Sequence, residues 1–252
     1  MGNARKQLAA ERAAAAKRRK TIRRVVIAVV AVVVAVAAVF VVMAVVRATQ
    51  NAQQTSGSVP PNANADQSGI IANPGKFAAG VPQVDIYLDY QCPYCGELER
   101  DYGDAFTQLA DAGTIQLQYH VLSFLDSSLH NDSSTRAAVA SACADEVGYF
   151  SAYNAAVFAN QPDEGDGYSD ELLTTTIPAA IGMTGDDLAK FGQCYANRQT
   201  ESFVKGVQDK AYSANITGTP TVRVNGNELE YSTIVQNDPS QLGQLITDAA
   251  NG

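Results

Sequence analysis

Val84-Asp85-Ile86-Tyr87-Leu88-Asp89-Tyr90-Gln91-Cys92-Pro93-Tyr94-Cys95 decides the fold. Its first seven residues alternate and are rich in β-formers, so they read as a strand. Two cysteines follow at once. Over 97–112, Leu98, Tyr102, Ala105, Phe106 and Leu109 recur at helical spacing, and Gly113 fits the residue just past a helix end. Residues 114–122 alternate again, as a second strand. Strand, helix and strand at this spacing make a βαβ unit, so the two strands should run parallel.

Downstream the pattern changes. Residues 134–160, 169–181 and 186–214 are Ala-rich, carry aromatics and show helical spacing, which predicts a helical insertion at about 131–214. Pro162 and the glycines at 165 and 167 separate the first segment from the second, and Pro178 kinks or ends the second. Thr219-Pro220-Thr221-Val222-Arg223-Val224 is extended again. Asn225-Gly226 is a strong hairpin signal, with 229–234 as the return strand. Asp238-Pro239 opens a last helix, with Asp as N-cap and Pro at the first helical position.

Two cysteines separated by two residues serve as a zinc half-site or as a redox pair. Zinc needs two more ligands, usually a second close pair. His120, His130, Cys143 and Cys194 are isolated in the sequence, so no metal and no cofactor is expected. A cysteine at a helix N-terminus meets the positive end of the dipole and free N–H groups, which favours the thiolate. Cys92 holds that place and is the expected nucleophile. Cys95, one turn inside, is the expected resolving thiol. Pro93 fixes the turn and lacks an N–H, while Tyr94 tunes the dipole environment and shapes the contact surface.

The run from Leu88 to Cys95, together with Thr217-Gly218-Thr219-Pro220-Thr221 and Val224-Asn225-Gly226, resembles the DsbA-like branch of the thioredoxin superfamily. The likeness is to its membrane-anchored bacterial (actinobacterial-type) form and covers roughly 70–252. It implies an α/β thioredoxin fold, a βαβ–ββα core interrupted by an all-helical domain. It also implies a cis peptide at Pro220 set against the dithiol, with the Thr219 backbone pairing to an extended substrate segment. One position departs from the pattern. Where thioredoxins carry an acid six residues before the first cysteine, this chain has Ile86. Asp85 and Asp89 flank it on the opposite strand face, and Asp89 reads more readily as a surface or capping residue than as a proton relay to Cys95.

At 46% hydrophobic and 17% charged residues, the 252-residue chain is too apolar for a disordered protein. Its charge is segregated. Residues 1–24 hold nine basic residues and one acid, leaving nine basic and 25 acidic residues for the rest. An unbroken apolar run of 22 residues follows at 25–46. As a helix it would span about 33 Å, enough for a bilayer core, and it is too long for the apolar part of a signal peptide. The flanking charges put 1–24 in the cytoplasm as a basic tail and the acidic domain outside, on a single-pass cell-membrane protein. The apolar run also argues against reading the basic tail as a nucleic-acid arm. Residues 47–69, rich in Ala, Gln, Asn, Ser and Pro, read as a flexible linker. No glycine spacing suggests a phosphate loop.

Outside the cytoplasm disulfides persist, so Cys143 and Cys194, both in the helical block, are expected to form a structural disulfide, the alternative being two buried thiols. Asn131 and Asn215 match the glycosylation acceptor pattern by chance. The favoured function is an oxidase that introduces disulfides into folding, cysteine-bearing secreted proteins. The resemblance implies a membrane redox partner, such as a quinone-linked oxidase, to recycle it. A reductase or isomerase of the same fold is the alternative. A copper-handling module or a scaffold with a degenerate site is the reading from another class.

Overall fold

In the computed structural model, residues 57–251 are described. The basic tail 1–24, the apolar run 25–46 and the first part of the linker lie outside the described residues. Among the described residues no helix is long and apolar enough to cross a membrane.

The sheet has five strands in the order β1-β3-β2-β4-β5: β1 Ile70–Ile71, β2 Gln83–Asp89, β3 Gln116–Leu122, β4 Thr221–Val224 and β5 Asn227–Leu229. β2 and β3 run parallel, as the βαβ reading requires, and the remaining pairs are antiparallel. The connecting helix, α1, is Pro93–Asp111, and it ends at a glycine, Gly113, with φ +70°. Ile86 pairs with Tyr119 on one side and Val222 on the other, so these three share a face of the sheet, while Asp85, Gln118 and Arg223 share the other.

The segments between β3 and β4 are helical, but more broken than the periodicity suggests. They comprise α2 Leu125–Leu129, α3 Ser133–Asp145, α4 Phe150–Ala159, a π-helical turn Leu172–Thr176 running into α5 Ile177–Ala180, α6 Gly185–Ala196 and α7 Glu201–Ser213. Pro178 kinks its segment rather than ending it: it sits in the first turn of α5, where a missing N–H is tolerated, with the widened turn just before it. α3 is buried nearly all round, and its small residues (Ala137, Ala138, Ala140, Ala142, Ala144) let α4, α6 and α7 close on it. Cys143 and Cys194 are disulfide-bonded, joining α3 to α6.

After β4, Asn225 and Gly226 take φ of 52° and 87°, the left-handed pair that a two-residue hairpin of matching twist needs. The return strand is shorter than expected. β5 stops at Leu229, and Tyr231–Val235 is a helix, α8, although its residues are mostly β-formers. Packing overrides propensity here: the helix buries Ile234 completely and sets Tyr231 against Tyr94. The last helix begins as read, with Asp238 in a capping box and Pro239 at the first position of a 3-10 turn leading into α9 Leu242–Asn251.

The second part of the predicted linker is not a free tether. Asn62 bonds Asp145 through its N–H and its side-chain amide (2.9 and 2.8 Å), Asn64 Nδ2 donates to Gln118 Oε1 (2.7 Å), and Ala63 bridges to Ile70. Buried His120 binds the Ser68 carbonyl at 2.7 Å and Asp85 at 3.0 Å, and stacks on Tyr87. Side-chain amides and a buried imidazole hold this segment without any apolar periodicity, which is why the sequence reads as a linker.

The disulfide closes a loop with a sequence separation of 51. Replacing both Cys143 and Cys194 by Ala should cost about 4 kcal/mol of stability on the chain-entropy account, measured by urea unfolding without reductant in a Cys92→Ala, Cys95→Ala background.

Candidate active site

The site forms where β2 hands over to α1. Cys92 is the N-cap, with an extended backbone (φ −77°, ψ 119°), and Pro93 follows as the first helical residue. The two sulfurs are free thiols in a confined place: Cys92 is 6% exposed and Cys95 2%. Opposite them the Thr219–Pro220 peptide is cis, and Cys92 Sγ lies 3.3 Å from the Thr219 carbonyl oxygen. The residues expected to form the site, Cys92, Pro93, Tyr94, Cys95, Thr219 and Pro220, therefore converge.

The two thiols diverge in acidity. A hydrogen bond from the Cys95 thiol lowers Cys92 to about 6. Burial opposes this, while the Thr219 hydroxyl and the N–H groups of Cys95 and Tyr94 reinforce it. Burial pushes Cys95 well up, and the neighbouring Cys92 adds to that. Thr219 Oγ1 is buried with no partner in the dithiol form, and it lies within range of both sulfurs. Its proton is thus available to a thiolate.

A groove of about 510 Å³ opens beside Cys92, walled by Tyr94, Phe124, Leu125, Glu97, Glu164 and Thr219. Tyr94 is 59% exposed and packs edge-on against Tyr231, whose hydroxyl bonds Glu97 at 3.1 Å. Aromatic and aliphatic walls with two carboxylates suit an extended peptide. Among the described residues no three His, Cys, Asp or Glu side chains gather as a metal site.

Sequence reading missed how the helical insertion grips the active-site loop. Gln161 Nε2 donates to the carbonyls of Tyr90 (2.8 Å) and Cys92 (2.9 Å), and the Tyr168 hydroxyl donates to Tyr90 O (2.9 Å). Gln91 exchanges amide bonds with Asn131, whose side chain is therefore occupied within the fold. Asp89 needs a correction: it is fully buried, not on the surface. It does cap, since its carboxylate accepts from the Gln91 N–H, the Leu125 N–H and the Ser134 hydroxyl. Asp85 is buried as well, bonded to His120 on the face away from Ile86. Nothing in the local sequence marks these partners, because they lie 36 to 78 positions from the loop they hold.

Two outcomes are expected. Alkylation of Cys92 should show an inflection near pH 6, which Thr219→Val and Cys95→Ala each move upward, read by mass spectrometry across pH. Burial raises Asp89 from 3.8 to about 7, against the pull of its three donors. The folded state then holds a proton that the unfolded state releases, so this group's contribution to stability falls as pH rises from about 4 to 7. Asp89→Asn should flatten the fall in Tm across that window, measured by calorimetry.

Comparison with known proteins agrees with this geometry. Residues 74–248 match the family model described as Thioredoxin. Reduced DsbA from Mycobacterium tuberculosis superposes with a TM-score of 0.54 at 27% identity, covering 73% of this chain and 98% of that one. DsbG from the same organism gives 0.55 at 26%, covering 74% and 94%. The thiol-disulfide oxidoreductase MdbA from Actinomyces oris shares the fold, with a TM-score of 0.64 at 21% identity over 76% and 92%. Among curated sequences, the serine/threonine-protein kinase PknE of M. tuberculosis is 29% identical over 189 residues, 70% of this chain. The match spans about a third (32%) of that kinase's length. With a family match over most of its length and a dithiol at the head of α1 facing a cis-proline, the chain belongs to the thioredoxin family, and its solved neighbours are DsbA-like.

Proposed function

We propose that this protein is an extracytoplasmic thiol:disulfide oxidoreductase that acts as an oxidase. The observation that carries the reading is the stabilised thiolate at Cys92, lowered to about 6. A stabilised thiolate stabilises the reduced form, and a protein whose reduced form is stable gives its disulfide away. In the oxidised state a substrate thiolate attacks Cys92 Sγ, the Cys92–Cys95 bond breaks, and a mixed disulfide forms. A second substrate thiolate attacks the substrate sulfur of that bond, and Cys92 departs as a good leaving group. The substrate gains one disulfide and the protein is left as a dithiol.

The groove beside Cys92 suits an extended segment, with the Thr219 backbone pairing to it, so the substrates are folding secreted proteins that bear cysteines. The apolar run 25–46 serves as the membrane anchor, with 1–24 cytoplasmic. Recycling then falls to a membrane redox partner, such as a quinone-linked oxidase. A reductase or isomerase of the same fold is the second reading; the disulfide bond oxidoreductase DsbG superposes about as well as DsbA and does not separate the two directions.

Equilibrating the full-length chain with glutathione redox buffers and reading Cys92 alkylation by mass decides between them. A potential above about −200 mV, toward the −120 mV of strong oxidases, is expected. A value near −270 mV would make the protein a reductase.

A further inference from the structure

The groove beside Cys92 carries an unbalanced charge. Two carboxylates, Glu97 and Glu164, stand in its wall, and among the described residues no cation does. We infer that the groove selects substrate segments that carry a lysine or arginine close to the cysteine to be oxidised. This rests on the oxidase reading above and names its substrate class.

The carboxylates do not mark the site; Cys92 and the cis-proline do. Cys92, Gly218 and Thr219 line the same groove, and Thr219 Oγ1 is buried without a partner. A substrate cysteine must come to rest at Cys92 Sγ. Its neighbours one to three places along an extended chain lie no more than about 10 Å away, in the groove or at its rim. The carboxylates decide which of these neighbours is favoured.

Both carboxylates are positioned, and from different elements. Glu97 is on α1, and its Oε2 accepts from the Tyr231 hydroxyl at 3.1 Å. Tyr231 in turn packs edge-on against Tyr94. Glu164 lies on the loop between α4 and the π-helical turn. That loop is pinned at both ends. Gln161 bonds the Tyr90 and Cys92 carbonyls, and the Tyr168 N–H donates to Ser133 Oγ at 2.7 Å. Asp163 and Asp166 sit on the same loop, joined by a bond from the Asp166 N–H to the Asp163 carbonyl. Neither Glu97 nor Glu164 has an ion pair among the described residues. The one cation of α1, Arg100, lies against Gly96 beside Gln161 and takes no part in the groove wall.

The rest of the wall narrows the choice of cation. Tyr94, Phe124 and Leu125 offer apolar surface. Lysine and arginine have an apolar stem that can lie on such surface while the charged head stays at its edge. A cation over the exposed Tyr94 ring gains a cation–π contact as well. A glutamate at the same substrate position would meet like charge from both carboxylates. The discrimination acts on encounter more than on grip, since exposed charges steer association and are screened by salt. The domain as a whole is acidic, with 25 acidic and nine basic residues beyond position 24. The groove concentrates that field at the nucleophile.

The test uses the oxidised full-length chain and two peptides, each with two cysteines, alike except that lysine or glutamate stands beside each cysteine. In each turnover the peptide dithiol becomes a disulfide and the Cys92–Cys95 disulfide becomes a dithiol, both read by mass after acid quenching. Each rate is divided by that of the same peptide with the neutral disulfide of 2-mercaptoethanol, which removes the effect of the peptide's charge on its own thiols. At about 10 mM salt the lysine peptide should react about fivefold or more faster than the glutamate peptide, and the ratio should fall toward one at about 0.5 M. Glu97→Gln with Glu164→Gln should lose most of the ratio at low salt. Any change in Cys92 itself cancels, because both rates come from one chain. Asp186→Asn with Asp209→Asn, on α6 and α7 outside the groove, removes as much charge and should keep the ratio. Glu164→Lys should bring the ratio to one or below, which decides the matter if the double groove variant does not fold. Equal rates for the two peptides in the wild-type chain at low salt overturn the inference. So does a ratio that survives Glu97→Gln with Glu164→Gln. A wild-type chain that oxidises neither peptide overturns the oxidase reading instead, and the groove is then judged by the same ratio for the reduced chain acting on the two peptide disulfides.

Discussion

One sulfur must carry a charge while its neighbour three residues on stays neutral, in a place that leaves them 6% and 2% exposed. Water cannot supply that difference, so the fold does. Cys92 stands at the head of a helix of 19 residues, where N–H groups have no intrahelical acceptor, and Cys95 donates to it from one turn inside. The unpartnered Thr219 hydroxyl lies on the other side, available to the charged sulfur. Each of these groups stabilises the charged sulfur only if the loop between Asp89 and Pro93 stays still.

The helical insertion holds that loop still. Tyr90 O takes two hydrogen bonds from it, one from Gln161 and one from Tyr168, and Cys92 O takes another from Gln161. Asp89 gathers N–H and O–H donors from its own loop, from Leu125 and from Ser134. Phe124 and Leu125, next to one of these bonds, also wall the groove. The insertion thus fixes the geometry of the nucleophile and shapes one side of the surface that a substrate meets. The disulfide between α3 and α6 braces the insertion internally. Its stability therefore bears on the reactivity of Cys92 through a chain of packed groups rather than by contact.

What could be read from the sequence was local. Cys92 and Pro93 at a strand-to-helix junction, Asn225-Gly226 in a tight hairpin and Asp238-Pro239 at a helix start each carry their reason within a few residues, and each stands where the pattern puts it. The misreadings have a common physical source. Residues 57–69 dock through side-chain amides, which leave no periodic trace. The run Tyr231-Ser232-Thr233-Ile234-Val235 has strand propensity, yet it is helical because Ile234 and Tyr231 find partners only in that form. Asp89 looked like a surface or capping residue because its neighbours in space, Leu125 and Ser134, come from the far side of a strand and a helix. Glu99 is likewise buried against expectation, its carboxylate taking a bond from Asn154 in the insertion.

The direction in which each acidity moves follows from placement. Cys92 is lowered to about 6, while Asp89 and Glu99 are raised to about 7. Donors pull the sulfur down, while burial pushes the two carboxyls up. Burial without a cation favours the protonated form of both carboxyls, and the donors to Cys92 Sγ do the opposite for sulfur. Burial is common to all three groups. What separates them is how many donors each meets and how strongly those donors offset the loss of water. In a domain with far more acidic than basic residues, it is these donors that let negative charge rest on the sulfur.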